Sequence, residues 1–62
     1  MSSGGRPQTR ARILEAARAM FEEFGYHDAG LGAVAKRAGV SRQAIYLHFP
    51  SKAELLTALH QH

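Results

Sequence analysis

Gly39-Val40-Ser41-Arg42-Gln43-Ala44-Ile45-Tyr46-Leu47-His48-Phe49 is the stretch on which the reading of this chain turns. A glycine removes the steric cost of a left-handed turn and so can end one helix. Ser41 then offers a side-chain oxygen to the first amides of the next. That helix is expected to run to about His48, because Pro50 cannot continue it and biases Phe49 away from helical geometry. Within it Ile45 and Phe49 share one face at four-residue spacing, while Arg42, Gln43, Tyr46 and His48 carry polar groups.

Working outward, Leu31–Ala38 reads as the preceding helix, with Leu31, Val34, Ala35 and Ala38 inward. Gly30 and Gly32 weaken its start by up to ~1 kcal/mol each relative to alanine, and Asp28 is the only nearby side chain suited to cap it. Before a loop at Tyr26–Gly30, Ile13, Ala17, Met20, Phe21 and Phe24 recur at helical spacing from about Thr9. Met20, Phe21 and Phe24 are expected in the core, and Gly25 stops this first helix. Residues 1–8 read as a flexible arm, and 9–62 as one domain. After Pro50, Ser51-Lys52-Ala53-Glu54 is spaced as a reciprocal capping box. It opens a fourth helix with Leu55, Leu56, Ala58 and Leu59 on its apolar face. No repeat or strand-period segment is present. The expected architecture is all-α: a three-helix bundle with a helix-turn-helix, plus the start of a fourth helix.

Charge is segregated along the chain. Residues 1–14 carry +3, residues 15–28 carry −3, and residues 29–53 carry +4 with no acid between Ala29 and Ala53; Glu54 brings the total to +3. Two basic blocks around an acidic one suit a protein that meets a polyanion. There is no cysteine, which excludes disulfides and thiolate metal sites. No apolar run approaches the ~20 residues of a membrane span. His60 and His62 fall on different helix faces, and no carboxylate completes a metal site. A chain this small offers neither an obvious pocket nor a matched catalytic constellation, so no enzymatic activity, metal or cofactor is expected.

Ile13-Leu14-Glu15-Ala16-Ala17, then Phe21, Phe24, Gly25 and Tyr26, then Ala38-Gly39-Val40-Ser41, Ile45-Tyr46-Leu47-His48-Phe49 and Ser51-Lys52-Ala53-Glu54-Leu55-Leu56 closely resemble, in order and spacing, the N-terminal DNA-binding domain of the TetR family of bacterial transcriptional regulators. The resemblance covers about residues 9–59. It implies a homeodomain-like bundle whose third helix reads the major groove of double-stranded DNA. It also implies a helical domain beyond these residues that dimerises and usually binds a small-molecule effector. The implied protein is a cytoplasmic, nucleoid-associated bacterial regulator, a repressor that binds a pseudo-palindromic operator as a homodimer.

Carried over position by position, the DNA-reading surface falls on Ser41, Arg42, Gln43, Ala44, Tyr46, Leu47 and His48, with Lys52 beside a phosphate. Arg6 and Arg10 are further candidates for backbone contact from the arm. Side-chain chemistry agrees: Arg can donate in bidentate fashion to guanine, Gln can pair with adenine, and Tyr46 and His48 have tips suited to phosphate oxygens. The chain departs from the family at Ala29 and Gly30, where a capping hydroxyl is common, at Gly32, where a polar or basic side chain is common, and at Ala44, often threonine. Fewer contacts from the second helix are therefore expected. The competing readings are a helical protein-interaction module with an incidental basic face and a basic amphipathic segment on anionic membranes.

Overall fold

The computed structural model describes residues 6–61, with side chains from Gln8 to Gln61. Four helices follow one another: α1 (Arg6–Phe24), α2 (Leu31–Ala38), α3 (Arg42–His48) and α4 (Lys52–Gln61). No strand occurs among the described residues. The all-α expectation holds, and α2 has the expected limits.

Helix α1 starts three residues before Thr9. Pro7 falls in its first turn, where the amide it lacks would have had no intrahelical partner, so proline is tolerated there. Of the expected arm, residues 1–5 lie outside the described residues, and Arg6–Gln8 have helical backbone.

α1 is the axle of the bundle, packing on both α2 and α4, while α2 packs on α3. Its buried residues Ile13, Ala16, Ala17 and Met20 recur at three- and four-residue spacing, and Leu14 flanks them. Ala29, Val34, Ala35, Ile45, Phe49 and Leu55 complete the core. The two buried alanines of α1, Ala16 and Ala17, keep its inner surface low, which lets neighbours approach closely. Phe21 packs partly buried against the core as expected. Phe24 does not: it is 51% exposed, because it sits at the very end of α1.

The turn between α2 and α3 is closed twice over. Gly39 has φ +76° and its amide donates to the Lys36 carbonyl at 3.2 Å, while the Val40 amide reaches back to the Ala35 carbonyl at 3.0 Å. This is the Schellman arrangement that satisfies the last carbonyls of a helix, and Val40 then packs on the core. On the other side Ser41 Oγ accepts from the Ala44 amide at 3.0 Å. A β-carbon at Gly39 would touch nothing within 4 Å, so the cost of Gly39→Ala is confined to the left-handed backbone, about 1 kcal/mol. A melting temperature lower by roughly 4–8 °C is expected. An unchanged or higher one in a thermal scan would contradict this account of the turn.

Two cap expectations need correction. Asp28 does not cap α2: Gly30 occupies the N-cap position, with no side-chain hydrogen bond. At α4, Ser51 Oγ accepts from the Glu54 amide at 3.2 Å, but Glu54 makes no return bond. The capping box is half-formed.

Candidate nucleic-acid interface

Helix α3 is anchored through one edge and open along the other. Ile45 is fully buried and Phe49, just past the helix, nearly so. Ser41, Arg42, Gln43, Tyr46 and Leu47 are exposed, and Ala44 and His48 are half-buried. The division follows from helical geometry: with Ile45 and Phe49 inward, residues 43, 46 and 47 fall on the outer side, whereas Arg42, three residues before Ile45, is exposed as the first residue of the helix. Leu47 is 86% exposed and Tyr46 48%. A leucine in water beside an exposed tyrosine leaves α3 with a mixed outer face: two polar forks in Arg42 and Gln43, a phenol, and an apolar tip. That is the chemistry needed to meet base edges and thymine methyl groups.

The cations expected to accompany α3 are placed differently from one another. Arg10 lies with Cζ 5.2 Å from the centre of the Phe49 ring, so α1 contributes a cation at the end of α3. The Arg6 side chain lies outside the described residues. Arg42, the first residue of α3, lays its guanidinium against the first turn of α2. A β-carbon at Gly32 would stand 2.8 Å from Arg42 Nη2 and 3.4 Å from Cζ and Nε. Arg37 pairs with Glu23 at 3.7 Å and Arg18 with Glu15 at 3.6 Å. Both pairs are solvated and of little energetic weight. Arg12, Lys36 and Arg42 have no carboxylate partner among the described residues.

Lys52 is the residue whose placement differs most from expectation. Its ammonium donates to the carbonyls of Tyr26 at 2.5 Å, Ala29 at 3.3 Å and His27 at 3.4 Å. It also stands 4.5 Å from the centre of the Tyr26 ring, and that ring packs on Phe21 at 5.3 Å. An ammonium has three protons, and here three carbonyls receive them. Lys52 therefore ties the start of α4 to the loop between α1 and α2, rather than standing free for the phosphate expected of it. Nothing local in the sequence signals this, because the partners lie 23 to 26 residues away. Hydrogen bonds to a charged group contribute about 1.5–3 kcal/mol when buried. With Lys52 half-exposed, Lys52→Met is expected to cost roughly 1–2 kcal/mol, lowering the melting temperature by about 5–10 °C. The slope of log affinity for duplex DNA against log salt should stay unchanged. A slope flattened by about one, at an unchanged melting temperature, would return Lys52 to phosphate contact.

Among the described residues no group of three His, Cys, Asp or Glu is arranged to hold a metal ion, and His62 lies outside them. No described helix is long and apolar enough to cross a membrane. The surface carries open clefts. One between α1 and α2 is lined by Arg12, Glu15, Ala16, Ala19, Arg37 and Ala38.

Comparison with known proteins bears on this arrangement. The family model described as bacterial regulatory proteins, tetR family, matches residues 13–59. The chain is 46% identical over 56 residues to the HTH-type transcriptional activator FasR of Mycolicibacterium smegmatis, covering 90% of this chain and 26% of that protein. It is 50% identical over 52 residues to the HTH-type transcriptional regulator TtgR of Pseudomonas putida, covering 84% and 25%. With the HTH-type transcriptional regulator UidR of Escherichia coli it shares 45% over 51 residues, covering 82% and 26%. The chain thus spans about a quarter of the length of these relatives. No solved structure matches it.

Proposed function

Because the chain belongs to the TetR family of bacterial regulatory proteins, whose members are DNA-binding regulators rather than enzymes, we propose that α3 reads base pairs in the major groove of a specific duplex. One observation carries the reading. α3 spends Ile45 and Phe49 on the core and presents Arg42, Gln43, Tyr46 and Leu47 outward, in a segment without an acidic residue from Ala29 to Ala53.

In this reading Arg42 and Gln43 donate to base edges, Leu47 meets a thymine methyl, and Tyr46 and His48 approach phosphate oxygens. Ser41 and Ala44 shape the first turn, the one with its hydroxyl and the other with its amide. Arg10 adds charge at the far end of α3, and Arg6 is a further candidate for backbone contact. Lys52 enters as a positioning residue that fixes the loop leading into α2.

The fuller reading is a cytoplasmic homodimer on a pseudo-palindromic operator. Its half-sites lie about one helical turn, or a multiple of one, apart. Dimer contacts and a small-molecule effector site would then lie in sequence outside these 62 residues. The protein would act as a repressor by occupying the operator. FasR is named an activator, so a reporter assay with the operator placed upstream or downstream of a promoter is the test of sign.

The binding function itself is tested by fluorescence anisotropy with a labelled duplex, the equal-length single strand and anionic vesicles as competitors. Duplex binding that falls steeply with salt, resisting single strand and vesicles, is expected. Preference for vesicles would favour the amphipathic-surface reading, and no duplex binding at low salt the protein-interaction module.

A further inference from the structure

Helix α2 opens on Gly30-Leu31-Gly32 without a side-chain cap. Glycine inside a helix is unfavourable relative to alanine, and the backbone at Gly32 does not call for it, since its φ is not positive. What calls for it is a neighbour. Around Gly25, Gly30 and Gly39 a β-carbon would meet nothing within 4 Å, whereas at Gly32 it would stand 2.8 Å from Arg42 Nη2. The crowding comes from one side chain, which belongs to the first residue of the helix that faces outward. Among the described residues no carboxylate or hydrogen-bond partner holds that guanidinium. It rests on the bare backbone of α2, and its donors remain available.

We propose that Gly32, which has no side chain to offer DNA, is a specificity-determining residue: the space it leaves is the seat of the Arg42 guanidinium. This rests on the DNA-reading function proposed above. Arginine carries large rotamer freedom, and its planar fork discriminates bases only when its orientation is defined beforehand. A seat on α2 restricts that freedom before DNA arrives. It also links the two helices of the helix-turn-helix by a contact that neither has alone. A methyl group at position 32 cannot coexist with Nη2 at 2.8 Å. The cheap response is rotation of the distal Arg42 torsions, because that nitrogen is the far end of a flexible side chain. The helices need not move. Residue 32 thus sets the direction of Arg42 while leaving the fold intact.

Gly32→Ala separates reading from folding, because the two effects have opposite signs. Alanine is the better helix former, so the melting temperature should be equal or higher. Discrimination should fall at one base-pair position. The experiment measures binding of four chains (wild type, Gly32→Ala, Arg42→Ala and the double variant) to the preferred duplex and to duplexes substituted at each position. Gly32→Ala is expected to reduce discrimination at the Arg42 position by fivefold or more, with the salt slope unchanged because the charge remains. In the Arg42→Ala background the same change should have less than a twofold effect. The proposal is overturned if Gly32→Ala discriminates as wild type does within twofold at every position. An equal effect in the Arg42→Ala background overturns it too, as does a lowered melting temperature, which would make the seat structural. If the wild-type chain itself prefers no duplex, the DNA-reading function fails and this inference falls with it.

Discussion

Truncating Ile45 to alanine is expected to leave the chain largely unfolded at 25 °C. Ile45 is fully buried and is the one buried residue within the seven-residue helix α3. A helix of that length is marginal by itself in water and owes its existence to packing. Removing a buried isoleucine to alanine costs about 2–5 kcal/mol. A single small core of this size supplies roughly 3–5 kcal/mol in all, so the loss is comparable to the whole. Leu47→Ala, two residues away, is the control: with 86% of the side chain in water it should change stability by no more than about 0.5 kcal/mol. Urea unfolding followed by circular dichroism compares the two. Near-equal transition midpoints for both variants would mean that α3 is not held through Ile45, and that its outer face is wrongly assigned.

Arg42→Ala and Gln43→Ala are each expected to cost about 1–3 kcal/mol on the preferred duplex, a loss of roughly 5- to 150-fold, and to relax selection at one base pair each. They should differ on unrelated duplexes. Gln43→Ala removes no charge and should leave non-specific affinity nearly unchanged. Arg42→Ala removes a cation and should weaken it, with a shallower salt dependence. Both residues are exposed, so neither change should alter the melting temperature by more than about 2–4 °C, on the scale of ordinary surface substitutions. Affinities for the preferred duplex and for its single-base variants, at two salt concentrations, provide the check. Sequence preference untouched by both substitutions would remove α3 as the reading helix.

The helix-turn-helix was legible because its punctuation is local. Gly39, Ser41 and Pro50 each act on backbone within a turn of themselves, and the positive φ at Gly39 and the Ser41 cap are where the residue types place them. The inward pair Ile45 and Phe49 followed from spacing alone. Where the reading missed, the cause was not local. Periodicity put Phe24 on the inner face of α1, but a face is buried only as far as its partners extend, and α1 ends there. The start of α1 at Arg6 fell within the arm expected at residues 1–8, because a proline is tolerated in a first turn. The carbonyls that the Lys52 ammonium meets lie 23 to 26 residues back in the chain, out of reach of any local pattern. Gly32 registered as a missing side chain, and its use as a seat for Arg42 required the distance across the turn.

The most direct test of the central claim is selection of this chain on a randomised duplex pool, sequencing the retained DNA at low and moderate salt. Enrichment of one short half-site, lost in parallel when Arg42 and Gln43 are replaced by alanine, is the predicted result. Salt-sensitive retention with no enriched sequence would contradict it, leaving a phosphate-binding surface without a reading helix.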